Sequence, residues 1–271
     1  MIISLFGRGF IGGRFHEMYK DEVFVEERDS LIPKYNNILY LISTTHNYNI
    51  YSDINIDIDT NLKKLVAILE NCKNRKNLVF NFISSWFVYG DIKMPFKETD
   101  LCNPKGFYSI TKKTAEDLLI SFCTTFSLQW KIFRLANVFG PGDKGVSKQK
   151  NALTYLANKI KKNEDVDLYW GGDFYRDYFY VDDTCEVIKF LIDNAPNNSI
   201  YNIGSGNAIK FLDLMNYIKL KTNSKSKFNS IEPPSFHKNV QIRNAFLNIS
   251  KLETLGYKNK FNIWDKLDTI I

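Results

Sequence analysis

Apolar residues fall in short blocks separated by amphipathic or polar stretches. Ile2 to Phe6 is one such block, too short for a helix and read as a buried strand. A helical stretch follows to about Lys20, then a second strand over Glu22 to Glu27 and a third over Ile38 to Ile42. From Asn61 to Cys72 the apolar positions Leu62, Leu65, Val66 and Leu69 step at helical spacing. Leu78 to Ile83 predicts the next strand, Phe107 to about Phe122 the next helix, and Lys131 to Leu135 another strand. Strands that alternate with helices predict an α/β fold of the Rossmann-like kind, a parallel sheet with helices on both faces.

After Gly140-Pro141-Gly142 the texture changes. Helices are expected at 151–162, 183–194 and 210–219, and short strands near 166–169, 177–181 and 199–203. The polar segment 222–240 carries Pro233-Pro234 and reads as mostly loop. This divides the chain into a dinucleotide-binding part, 1–140 with about 177–204 returning to it, and a smaller mixed α/β part, 141–176 with 205–271.

Composition narrows the class. The 271 residues bear a net charge of +6, but their lysines are scattered, without the clustering that a nucleic-acid surface needs. No apolar run reaches the roughly 18 residues of a membrane span. Met1 runs directly into the first strand, so no leader is expected, and a cytoplasmic protein is. The four cysteines and three histidines sit at unrelated spacings, which predicts reduced thiols and no metal.

The chemistry begins at Gly7-Arg8-Gly9-Phe10-Ile11-Gly12, between a strand and a helix. In that context the first glycine allows the tight turn and the second lets a pyrophosphate approach. The third lets helix and strand pack closely. The helix start then offers free N–H groups to phosphate. Glu27, with Glu26 before it, ends the second strand where a carboxylate would meet the adenosine ribose. That favours NAD, while Arg28 and Arg8 leave NADP open.

Tyr108 and Lys112 stand one helical turn apart on one face. Ser84 and Ser85 close a strand at the end where open α/β sheets bind ligands. Moving a hydride at a carbinol carbon also moves a proton on its oxygen. A free tyrosine, with pKa about 10, is a poor base for that task. A neighbouring ammonium and an oxidised nicotinamide favour the phenolate. Ser85 can hydrogen-bond the reacting oxygen.

Taken together, these segments resemble the extended short-chain dehydrogenase/reductase family of nucleotide-sugar epimerases, dehydratases and reductases. The resemblance makes Ser85, Tyr108 and Lys112 the catalytic set. It puts Asn61 near the cofactor and Ser84 and Trp86 near the sugar. Arg134-Leu135-Ala136-Asn137-Val138-Phe139-Gly140-Pro141 resembles the segment whose Asn meets the substrate diphosphate. Gly172 to Asp183 is similar to the segment whose Arg, here Arg176, binds that group. Arg243, ahead of Asn248, has the spacing of a second such Arg. The resemblance implies a nucleotide-diphosphate sugar as substrate and a homodimer paired through the helices near 61–72 and 107–122. Three departures stand out. The glycine turn is one residue shorter than usual, Ile42-Ser43 replaces an Ala-Ala, and about ten residues separate Glu27 from Ile38. That gap holds no room for the usual extra strand–helix unit.

The two residues after Ser85 narrow the reaction. Family dehydratases carry Asp-Glu there and decarboxylating members a Glu, whereas this chain has Trp86-Phe87. Neither side chain transfers protons, and Phe87 stands where epimerase-reductases have Cys. Hydride chemistry at one carbon remains, as 4-epimerisation through transient C4 oxidation or as one-way reduction of a 4-keto sugar. The Ser-Ser-x-x-Val-Tyr-Gly pattern favours the epimerase, and the short C-terminal half the reductase. A non-catalytic dinucleotide sensor is the reading of another class.

Overall fold

In the computed structural model, which describes residues 2–143, 147 and 152–271, a six-stranded sheet runs through the molecule. Its order is Ser199–Ile203, Gln129–Leu135, Val79–Ser85, Asn37–Tyr40, Ile3–Phe6, Val23–Val25, and every neighbouring pair is parallel. A parallel sheet needs both faces covered, and its strands therefore read as apolar runs. One face carries the helices Lys64–Glu70 and Phe107–Thr125, packed on Phe6, Tyr40, Phe80, Phe82 and Ile132. The other carries Phe10–Met18 and Val181–Asn194, in a core shared with Ala152–Lys161 and Phe211–Lys221.

The long helix Phe107–Thr125 shows why its sequence folds this way. Its buried positions Tyr108, Ser109, Thr111, Lys112, Ala115, Glu116, Leu119 and Cys123 recur at helical spacing along one broad face. Lys112 and Glu116 are polar members of that face, and each has a partner. Lys112 Nζ donates to the Ile83 carbonyl at 2.6 Å. Glu116 takes a two-bond fork from Arg134 on the adjoining strand, at 3.0 and 2.7 Å.

Three local expectations differ from the fold. The second strand is only Val23–Val25, because Lys20–Glu22 turns as a 3-10 segment. Just past the strand, the Glu26 carboxylate accepts the Lys34 N–H at 2.7 Å and so fastens the connecting loop. That loop runs directly into Asn37–Tyr40, with no helix between, and the sheet ends at Val23–Val25. Segment 222–240 is more ordered than its polarity suggests. Phe228–Ile231 pairs in parallel with Val166–Tyr169, and Ser235–Val240 is a short helix. The helix expected from Asn61 opens as a wide π turn over Asp59–Lys63. Such turns re-aim side chains and are frequent at functional sites. Residue 151, part of an expected helix, lies outside the described residues.

No helix among the described residues is long and apolar enough to cross a membrane. The four cysteines are free, and no metal-binding cluster occurs among the described residues.

Candidate active site

A cavity of about 480 Å3 opens at the carboxyl ends of the central strands, where open α/β sheets take ligands. Gly7, Gly9, Phe10, Ile11 and Gly12 line one end. A Cβ on Gly12 would sit 2.0 Å from the Gly7 carbonyl oxygen, so only glycine lets the helix approach the turn. Gly7 has φ +100°, open to glycine and costly to other residues. A Cβ on Gly9 would meet nothing within 4 Å. Gly9 lines the cavity, so open space surrounds the turn where a ligand's phosphates need room. Helix Phe10–Met18 begins at Gly9 without a side-chain cap, which leaves its first N–H groups for an anion. The chemistry of this turn fits a dinucleotide pyrophosphate.

Ser84, Ser85, Tyr108 and Lys112 line the middle of the cavity. The Ser84 hydroxyl is buried and has no hydrogen-bond partner among the described residues. Ser85 Oγ accepts the Phe87 N–H at 3.3 Å and caps the turn Trp86–Tyr89. Burial pushes Tyr108 up to about 12, and the Ser85 hydroxyl beside it offsets part of that rise. Lys112 lies 4.2 Å over the Phe82 ring, and burial pushes it down to about 7, with Glu116 opposing. The protein's own groups therefore do not make Tyr108 acidic. Positive charge at the hydroxyl would act in the opposite direction.

Trp86 and Phe87 stack with centroids 4.0 Å apart, and Phe87 meets the Tyr108 ring edge-on at 5.9 Å. They wall the site beside Tyr108 with aromatic carbon, and neither carries a titratable group. Arg176 lines the cavity beyond them, with its guanidinium 5.2 Å from the Trp86 ring and 5.0 Å from Phe174. It donates to the carbonyls of Tyr175, Arg243 and Ile242. Two of its five N–H groups are thereby left for a ligand. Burial pushes it down to about 10. A buried cation with no carboxylate partner among the described residues is a site for an anion. Asn137 also lines the cavity, its amide tied to the Asp177 carbonyl at 3.0 Å.

Four expected site residues do not line this cavity. Glu27 and Arg28 are exposed on the loop after the second strand, and the better-buried Glu26 is engaged by Lys34. Asn61 is buried and fully bonded. It accepts from Ser43 Oγ and the Thr44 N–H and donates to Thr44 Oγ1 and Thr111 Oγ1. It thus holds the lining residues Ser43 and Thr44 against helix Phe107–Thr125. Arg243 turns to Asp173, at 3.3 Å between the charged atoms, and lies over the Trp170 ring.

Sequence reasoning missed the far wall. Tyr48, Tyr169, Trp170, Phe174, Phe211 and His237 line it, and they come from four separated segments. Trp170 holds φ +51°, a conformation uncommon for a side chain of that bulk. The signal that could have marked it is Trp170 directly before Gly171-Gly172.

The model of the NAD dependent epimerase/dehydratase family matches residues 36–204. The chain belongs to that family. Its members are extended short-chain dehydrogenase/reductase enzymes, the epimerases, dehydratases and reductases of nucleotide sugars. An Escherichia coli dTDP-4-dehydro-6-deoxyglucose reductase is 24% identical over 251 residues, 91% of this chain and 78% of that protein. A Dictyostelium discoideum dTDP-D-glucose 4,6-dehydratase is 27% identical over 195 residues, 67% of this chain but 44% of that one. A UDP-glucose 4-epimerase from Thermotoga maritima, solved with UDP-glucose, shares the fold. Its TM-score is 0.89 at 22% identity, over 100% of this chain and 97% of that one.

Proposed function

We propose that the chain is a 4-epimerase of a nucleoside-diphosphate hexose, working with NAD. One observation carries the reading. A single cavity joins the glycine turn, the Ser85–Tyr108–Lys112 set and Arg176, which has no carboxylate partner among the described residues, and the two residues after Ser85 are aromatic rather than acidic. That arrangement supports hydride chemistry at a carbinol carbon and offers nothing at residues 86 and 87 for eliminating water.

In this reading residues 1–140, with about 177–204, hold the dinucleotide, and 141–176 with 205–271 hold the nucleotide sugar. Gly7, Gly9 and the N–H groups of Phe10, Ile11 and Gly12 hold the pyrophosphate. Bound NAD supplies the hydride acceptor and donor at the sugar carbon. Tyr108 takes the proton from the sugar hydroxyl and later returns it. Lys112, when protonated, favours the Tyr108 phenolate, and Ser85, with the Ser84 hydroxyl that has no partner among the described residues, donates to the reacting oxygen. Arg176 and Asn137 anchor the diphosphate while Trp86 and Phe87 keep water away from the reacting carbon.

The second reading is a 4-keto-sugar reductase using NAD(P)H, favoured by the Escherichia coli reductase that aligns with most of the chain. Denaturing fresh protein and weighing the released dinucleotide separates the two. Near-stoichiometric NAD is expected for the epimerase, because its cofactor never needs to leave. An empty site or NADP supports the reductase.

A further inference from the structure

A hydrogen bond between side chains joins two distant segments that line the cavity. Tyr48, from the 3-10 turn Asn47–Tyr51, reaches His237 of helix Ser235–Val240, with Oη and Nδ1 2.7 Å apart. Both residues line the cavity. Nδ1 is the only hydrogen-bond partner of the Tyr48 hydroxyl among the described residues, and which of the two donates depends on the imidazole tautomer. A neutral imidazole whose Nδ1 accepts carries its hydrogen on Nε2. No group among the described residues receives that hydrogen.

The surroundings say what it could meet. The His237 ring lies 4.7 Å from Tyr169 and 5.8 Å from Trp170, within the aromatic lining of the cavity. Burial and the nearby Arg176 guanidinium together push the imidazole down to about 4, so it stays neutral at neutral pH. The other charged groups around it are committed. Lys238 pairs with Glu232 at 2.7 Å, Arg243 beyond Trp170 pairs with Asp173, and Asp167 accepts from Asn229. A neutral donor beside a cation with no carboxylate partner among the described residues is suited to a polyanion that would saturate Arg176 alone.

We propose that His237 is a direct diphosphate ligand, its Nε2–H donating to the oxygens that Arg176 also binds, and that Tyr48 is the positioning residue that selects this tautomer. The proposal rests on the nucleotide-sugar reading above and adds to it a residue from a segment that its polarity marks as loop.

The test uses the intact protein labelled with nitrogen-15 at histidine. The free protein is expected to show His237 with a bare Nδ1 and a protonated Nε2, and uridine diphosphate should shift the Nε2 resonance. His237→Phe keeps the ring packing and is expected to weaken uridine diphosphate binding about tenfold, the worth of one hydrogen bond to a charged group. Tyr48→Phe should weaken it less and should mix the His237 tautomers, which a merely structural contact would not do. NAD binding should be unchanged in His237→Phe and serves as its folding control, with thermal unfolding as the control for Tyr48→Phe. Binding of uridine diphosphate within twofold of wild type in His237→Phe, with NAD still bound, overturns the assignment and leaves the proposed function standing. Failure of the wild-type protein to bind the diphosphates of uridine, thymidine, guanosine or adenosine overturns both.

Discussion

Lys112 donates to the main-chain carbonyl of Ile83 at 2.6 Å, the residue immediately before Ser84 and Ser85. One side chain thus ties helix Phe107–Thr125 to the strand end that presents both hydroxyls. The same burial disfavours the charged ammonium, which drops to about 7. Lys112→Met removes the charge and keeps most of the volume. We expect turnover to fall by about 100-fold or more, while the melting temperature holds or rises. A large loss of stability in thermal unfolding would show that the lysine is structural.

The glycine turn gives a paired prediction. Gly12→Ala forces a Cβ to 2.0 Å from the Gly7 carbonyl and should destabilise the fold as well as cofactor binding. Gly9→Ala meets no protein atom within 4 Å. It should leave thermal stability unchanged and weaken NAD, read by fluorescence titration with NADH.

Behind the site, Arg134 and Glu116 form an ion pair whose side chains are 3% and 1% exposed. Breaking a buried pair strands one charge, at a cost of about 3–5 kcal/mol. Glu116→Ala should lose that much in urea unfolding. Replacing both residues by apolar ones should recover most of it, and a double-mutant cycle measures the difference.

His237 also makes a pH prediction. Its folded pKa of about 4 lies below the ordinary 6.5, so the unfolded chain binds a proton that the fold refuses. Stability should therefore fall as pH drops from 6.5 towards 4. His237→Phe should flatten that part of the curve, followed by urea midpoints at several pH values.

What was legible in the sequence was local. Gly7 to Gly12 and the Tyr108–Lys112 pair carry their meaning in spacing along one turn or one helix face, and the sheet that joins them follows from alternating strands and helices. Long-range partners were not legible. Nothing near Glu26 marks it as the acceptor for Lys34, or Arg243 as the partner of Asp173. The far wall of the cavity is assembled from Tyr48, Trp170 and His237, residues more than a hundred positions apart at its extremes, with no period to reveal it.

The most direct measurement mixes the purified protein with nucleoside-diphosphate hexoses, without added cofactor, and follows the sugar by proton NMR. The 4-epimer of at least one hexose is expected to appear with wild type and to be lost in Tyr108→Phe, which still binds the nucleotide. If none is epimerised, and a 4-keto sugar is instead consumed only when NAD(P)H is supplied, the epimerase reading is wrong and the chain is a reductase.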